Sequence, residues 1–201
     1  VRHDGAVDGD QVMMLREVLA ATGWLGRTRE FGRALRGSAR TPGGLLLVGT
    51  PAADPWHLAA HLDDESRLNS LPGLAPVLVR WSPPPDAPAH LRVGLERLEA
   101  ARRGETLFVV AEDEAPVPLL ERVDDARRTG ATILALDGGD RELGGLAHES
   151  LTVPPDQALL SFDGAQHLVS AAAAEPAAGR RPGLRHRLAR LLETVSGPVV
   201  D

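Results

Sequence analysis

The 201-residue sequence predicts a three-layer α/β/α sandwich with a five-stranded, mostly parallel sheet. Two observations carry that prediction. Short, continuous apolar runs alternate with stretches of helical periodicity, the pattern of parallel strands buried on both faces. A chain of this length, 43% hydrophobic and 25% charged, can bury a core without disulfides or metals, and it has no cysteine.

The elements follow in order. Residues 1–10 are polar and read as a frayed terminus, with the domain proper over 11–178 and a basic, amphipathic helix over 179–201. From Gln11 to Arg36 the apolar positions Val12, Leu15, Leu19, Trp24, Leu25, Phe31 and Leu35 have helical spacing, broken near Gly23 and Gly26. Thr41–Gly44 is a turn, and Leu45–Val48 a buried strand. Asp54 and Pro55 predict the cap and first residue of a helix. Pro76–Trp81 reads as the second strand, stopped by Ser82 and three prolines, and 89–103 as a helix carrying Leu91, Leu95 and Leu98. Thr106–Val110 is the third strand, Pro118–Arg128 a helix closed by Gly130, Ala131–Leu136 the fourth strand and Ser150–Val153 a short fifth. A helix over 156–174 completes the sandwich, whose crossovers should be right-handed.

Composition excludes several functions. All 22 basic residues are arginine; there is no lysine, one isoleucine (Ile133) and one asparagine (Asn69), which points to the codon usage of a high-GC bacterium. Without lysine there is neither Schiff-base chemistry nor a Walker lysine. Residues 1–179 carry 17 Arg against 26 Asp and Glu. So acidic a body, poor in aromatics, argues against a nucleic-acid partner. No apolar run approaches a membrane span, and Asp4, Asp8 and Asp10 stand where a secretory apolar region would begin, so a cytoplasmic protein is expected.

The stretch ETLFVVAEDEAPVPLLERVDDARRTGATILAL (Glu105–Leu136) is similar, without a gap, to the third strand, helix and fourth strand of sugar isomerase (SIS) domains. Leu143–Pro154 (LGGLAHESLTVP) resembles the segment leading into that family's fifth strand. The likeness covers residues 11–178 and implies a topology of the flavodoxin or Rossmann kind, a homodimer and a phosphosugar ligand. It also implies a phosphate cradle, Ser-x-Ser-Gly-x-Thr, after the third strand. The matching positions here are Ala111, Glu112, Asp113, Glu114, Ala115 and Pro116. Hydroxyls and glycine are gone, Pro116 has no N–H, and three carboxylates stand where a dianion would sit. At about 4 Å, one like-charge pair costs on the order of 1–4 kcal/mol. The family's first loop, Gly-x-Gly-x-Ser, keeps only Gly49 in the stretch Gly49–Ala53.

In such a sheet the ligand crevice lies beyond the carboxyl ends of the strands. Its expected lining is Gly49, Thr50, Ser82, Glu112, Asp113, Asp137 and Gly138, suited to a small polar ligand such as a cation, an amine or a polyol. His148, Glu149 and His167 are the candidate acid–base groups. His57 and His61, four apart on a helix, are the candidate metal ligands, with no third ligand fixed by spacing. No cofactor is expected. The favoured expectation is a non-catalytic SIS-like binding or regulatory module, probed against two alternatives. One is a phosphosugar isomerase or sensor with a rebuilt site; the other is a scaffold working through the basic tail, where Leu184, Leu188, Leu191, Leu192 and Val195 form an apolar stripe among five arginines.

Overall fold

The computed structural model describes residues 23–86, 88, 91–155 and 160–175. Five parallel strands form one sheet in the order β2-β1-β3-β4-β5. They are β1 (Leu45–Val48), β2 (Pro76–Val79), β3 (Thr106–Ala111), β4 (Thr132–Asp137) and β5 (Glu149–Thr152). Leu45 lies opposite both Pro76 and Thr106, and Ala111 opposite Asp137. The helices are α1 (Trp24–Ser38), α2 (Trp56–Leu68), the single turn α3 (Glu96–Glu99), α4 (Val117–Arg128), α5 (Arg141–Leu146) and α6 (Phe162–Ala173). A short 3-10 turn, Pro72–Leu74, joins α2 to β2.

The continuous apolar runs are divided between two cores by the two-residue period of a strand. Leu45, Leu47, Phe108, Val110, Leu134 and Leu136 face a core shared with α1, α2 and α6. There the rings of Phe31 and Phe108 meet at 5.5 Å. Leu46, Val48, Leu107, Val109, Ile133 and Ala135 face the other core, closed by Leu98, Leu119, Val123 and Leu143. Every strand residue of β1 and β3 is buried, as expected where both faces are covered.

Four expectations need correction. The helix over 89–103 is reduced to Glu96–Glu99. Before it, the Arg80 N–H donates to the Val93 carbonyl (2.9 Å) and Arg80 bridges Gly94, so the chain runs extended beside the end of β2. Asp54 does not cap α2, whose cap position is Pro55 with no side-chain hydrogen bond. Its carboxylate instead reaches Arg80 (3.4 Å). The last helix starts at Phe162, because the Ser161 hydroxyl accepts from Gly164 N and sets the cap there. Of the two glycines expected to break the N-terminal helix, Gly23, at φ +73°, caps the start of α1, whereas Gly26 lies inside α1 and leaves it unbroken. An unexpected helix, α5, is capped by Asp140, whose carboxylate accepts from the N–H groups of Glu142 and Leu143. The terminal segment 1–10, the helical stretch 11–22 and the basic tail 179–201 lie outside the described residues.

Candidate functional site at the carboxyl ends of the strands

The strand order reverses between β1 and β3, since β1 leads outward to β2 and β3 leads the other way to β4. At such a switch point the loops diverge and leave a crevice. Gly49 and Thr50 follow β1 on one side of it, and Glu112 and Asp113 follow β3 on the other. Asp137 and Gly138 end the adjacent β4, so six of the seven expected lining residues lie on three neighbouring strands. Ser82 follows β2, at the sheet edge.

The β1 loop is folded tightly on itself. Thr50 is buried and bridges Ala53, whose N–H donates to the Thr50 carbonyl (3.2 Å). A Cβ on Gly49 would stand 2.0 Å from the Ala53 carbonyl oxygen, so only glycine fits. The Trp81 indole N–H donates to the Gly49 carbonyl (2.8 Å) and ties the β2 loop to the β1 loop. Beside them Asp54 faces Arg80, whose Nε is buried without a partner among the described residues. Burial raises the Asp54 carboxyl above its usual range, against the pull of Arg80.

The β3 loop exposes Glu112, Asp113 and Glu114 to solvent. Its backbone presses on the β4 loop, where a Cβ on Gly138 would lie 1.9 Å from the Glu112 carbonyl oxygen. Asp137 is only 1% exposed and accepts from the Gly139 N–H (2.8 Å). Burial raises its carboxyl above the ordinary range and nearby Asp140 adds to that, while the Gly139 and Thr152 hydrogen bonds pull it down.

One residue that sequence reading missed changes the chemistry of this loop. The second carboxylate oxygen of Asp140 accepts from the Ala115 N–H (2.8 Å), just before α4. That N–H belongs to the segment aligned with the phosphate cradle, and the chain's own carboxylate already holds it. Next to it Pro116 and Pro118 supply no donor. Of the α4 entrance, only Val117 keeps an N–H between Ala115 and Leu119, and the Leu119 N–H goes to the Pro116 carbonyl. The signal for Asp140 was present as an Asp two residues before Glu142, at the start of a helical turn.

The acid–base candidates fall in two other places. Glu149 begins β5, His148 stands just before it, and both lie at the amino end of the sheet, opposite the crevice. There the His148 Nδ1 accepts from the Ile133 N–H (2.9 Å), while the His148 backbone N–H donates to the Ile133 carbonyl (2.8 Å). The imidazole extends the β4–β5 ladder. His167, on α6, meets His61 of α2 edge to face, with ring centres 4.3 Å apart. His57, one turn earlier on α2, stacks against Trp56 at 3.6 Å. The fold thus joins His57, His61 and His167 in one group, although among the described residues no three His, Asp or Glu side chains are arranged to hold a metal ion. No helix among the described residues is long and apolar enough to cross a membrane.

No protein-family model matches the sequence, and no curated protein matches it either. Solved structures do. A provisionally assigned phosphosugar isomerase from Silicibacter pomeroyi DSS-3 is similar over 94% of this chain, at 18% identity and a TM-score of 0.57. A provisionally assigned sugar-binding protein from Salmonella typhimurium LT2 is similar over the same share, at 16% identity and a TM-score of 0.53. The Vibrio vulnificus NanR protein, solved with ManNAc-6P, gives 11% identity and a TM-score of 0.43. This chain spans about half the length of the first two, 54% and 53% respectively. With its five-stranded parallel sheet and two helical layers, the chain has the α/β/α fold of these two structures, the fold that the SIS resemblance implies.

Proposed function

We propose that this chain is a dimeric, non-catalytic SIS-like binding or regulatory module whose phosphosugar cradle has been replaced. The observation that carries the reading is the Asp140 carboxylate on the Ala115 N–H, where the resemblance calls for a ligand phosphate. Pro116 and Pro118 remove two further donors, and the exposed Glu112, Asp113 and Glu114 oppose a dianion. The acid–base candidates support the same reading, since His148 and Glu149 stand at the far end of the sheet from the crevice.

A second reading, a phosphosugar isomerase or sensor with a rebuilt site, draws on Arg80. Its guanidinium lies beside the crevice, has an unpartnered Nε, and could exchange Asp54 for an anionic ligand. Neighbours assigned as a phosphosugar isomerase and a sugar-binding protein favour keeping it in view.

A thermal-shift panel separates the two. It comprises aldose and ketose phosphates, the same sugars unphosphorylated, inorganic phosphate and nucleotides. A ligand at a hundred times its dissociation constant adds about 2.7 kcal/mol, or a rise of roughly 5–10 °C for a domain of this size. The module reading expects no rise specific to the sugar phosphates. A rise with them that disappears in Arg80→Gln overturns it in favour of the rebuilt site.

A further inference from the structure

We propose that the contact between α2 and α6 is a proton-operated joint, closed while His61 and His167 are neutral and loosened when they take up protons. The geometry is a cluster. Two imidazoles from different helices touch edge to face at 4.3 Å, half-buried, with His57 one turn away under Trp56. A neutral pair packs well in this way, because the positive edge of one ring meets the face of the other. Two imidazolium rings at that separation place like charges in contact where water cannot screen them fully.

The surrounding charges do not relieve this. On α2 the groups that act on the pair are His57, Asp64 and Glu65; on α6 there is Asp163. Burial is the largest influence on both rings and holds each below the ordinary histidine range, with the neighbouring histidines adding to it and the acids opposing it. The other elements packed on α2, which are β2 (Pro76–Val79) and the 3-10 turn, bring no ionisable side chain. On α1, Arg29 is engaged with Glu175 beyond the far end of α6.

The sign follows. Above the ordinary histidine value of about 6.5 both rings are neutral in either form, and the joint keeps its full stability. Between that value and the depressed folded ones, the open form binds more protons, so closure weakens as the pH falls. Opening is confined to one end. Near its carboxyl end α6 is pinned to α1, where a Cβ on Gly32 would stand 2.6 Å from the Ala172 backbone. The end that can lift is Phe162–Leu168. The α2 face of the joint follows the Thr50–Asp54 loop and so adjoins the crevice edge. The joint stands whether or not the crevice takes a sugar.

Histidine ring NMR titration and amide exchange test it on the whole chain in buffer with EDTA. His61 and His167 are expected to titrate below the ordinary histidine value of about 6.5. Corrected for intrinsic rates, amides of 162–168 should exchange about tenfold faster at acidic than at neutral pH, while those of 171–173 hold. In His167→Gln the His61 midpoint should rise and the pH dependence of exchange shrink to what the burial of one ring leaves. If that variant does not fold, His61→Gln poses the mirror-image question at His167. Midpoints equal to that of a free histidine, or exchange indifferent to pH, overturn the joint.

Discussion

Asp137 closes β4 with a carboxylate that is almost wholly buried and has one firm hydrogen bond, from Gly139. Burial raises its proton affinity in the folded state, so the folded form holds a proton over a window where the unfolded form has lost it. Stability therefore declines as the pH rises through that window, from about 3.8 to the raised folded value. Asp137→Asn keeps an acceptor for Gly139 without the charge. Urea unfolding should find the variant at least as stable as the parent at neutral pH, with an advantage that shrinks towards pH 4; a clear loss at neutral pH would refute this. Residues of this kind were half legible. The sequence placed Asp137 at a strand end, but a side chain's partners come from chain far away. His61 and His167 were read as separate candidates because nothing local links positions 106 residues apart.

At the scale of elements, strands were easiest to read, because runs such as Leu107–Val110 are apolar throughout and short. The failure over 89–103 is instructive: Leu91, Leu95 and Leu98 have helical spacing, yet the edge of β2 captures Val93 and Gly94 through the backbone. Only Leu98 of the three is fully buried, while Leu91 is 40% exposed. Tertiary pairing thus overrides a local period. Where α1 crosses α6, no local pattern signals how near the backbones come. Gly32→Ala should cost about 1–3 kcal/mol by overpacking, since its nearest neighbours are Ala172 backbone and Cβ atoms. Gly37→Ala, on the same helix with open space around it, should be neutral or stabilising by up to about 1 kcal/mol. Equal effects in paired melts would contradict the crossing.

For the whole molecule, alternating strands and helices were enough to foresee a three-layer parallel sandwich, and the order β2-β1-β3-β4-β5 completes it. The order itself is set by long-range pairing that no window of sequence contains. The chain spans about half the length of the structures it resembles, and the proposed module pairs two copies of it. Sedimentation of the purified chain at micromolar concentration should give twice the monomer mass of 21.3 kDa; a monomer would remove the dimer from the proposal.

The Asp140–Ala115 hydrogen bond gives the molecule a particular kind of autonomy. Where a loop relies on a metabolite's phosphate to satisfy its backbone, its order rises and falls with the supply of that metabolite. Here the countercharge is encoded in the chain and arrives with translation. If the proposed reading holds, the entrance to α4 is thereby set by the fold itself, whatever the supply of ligand.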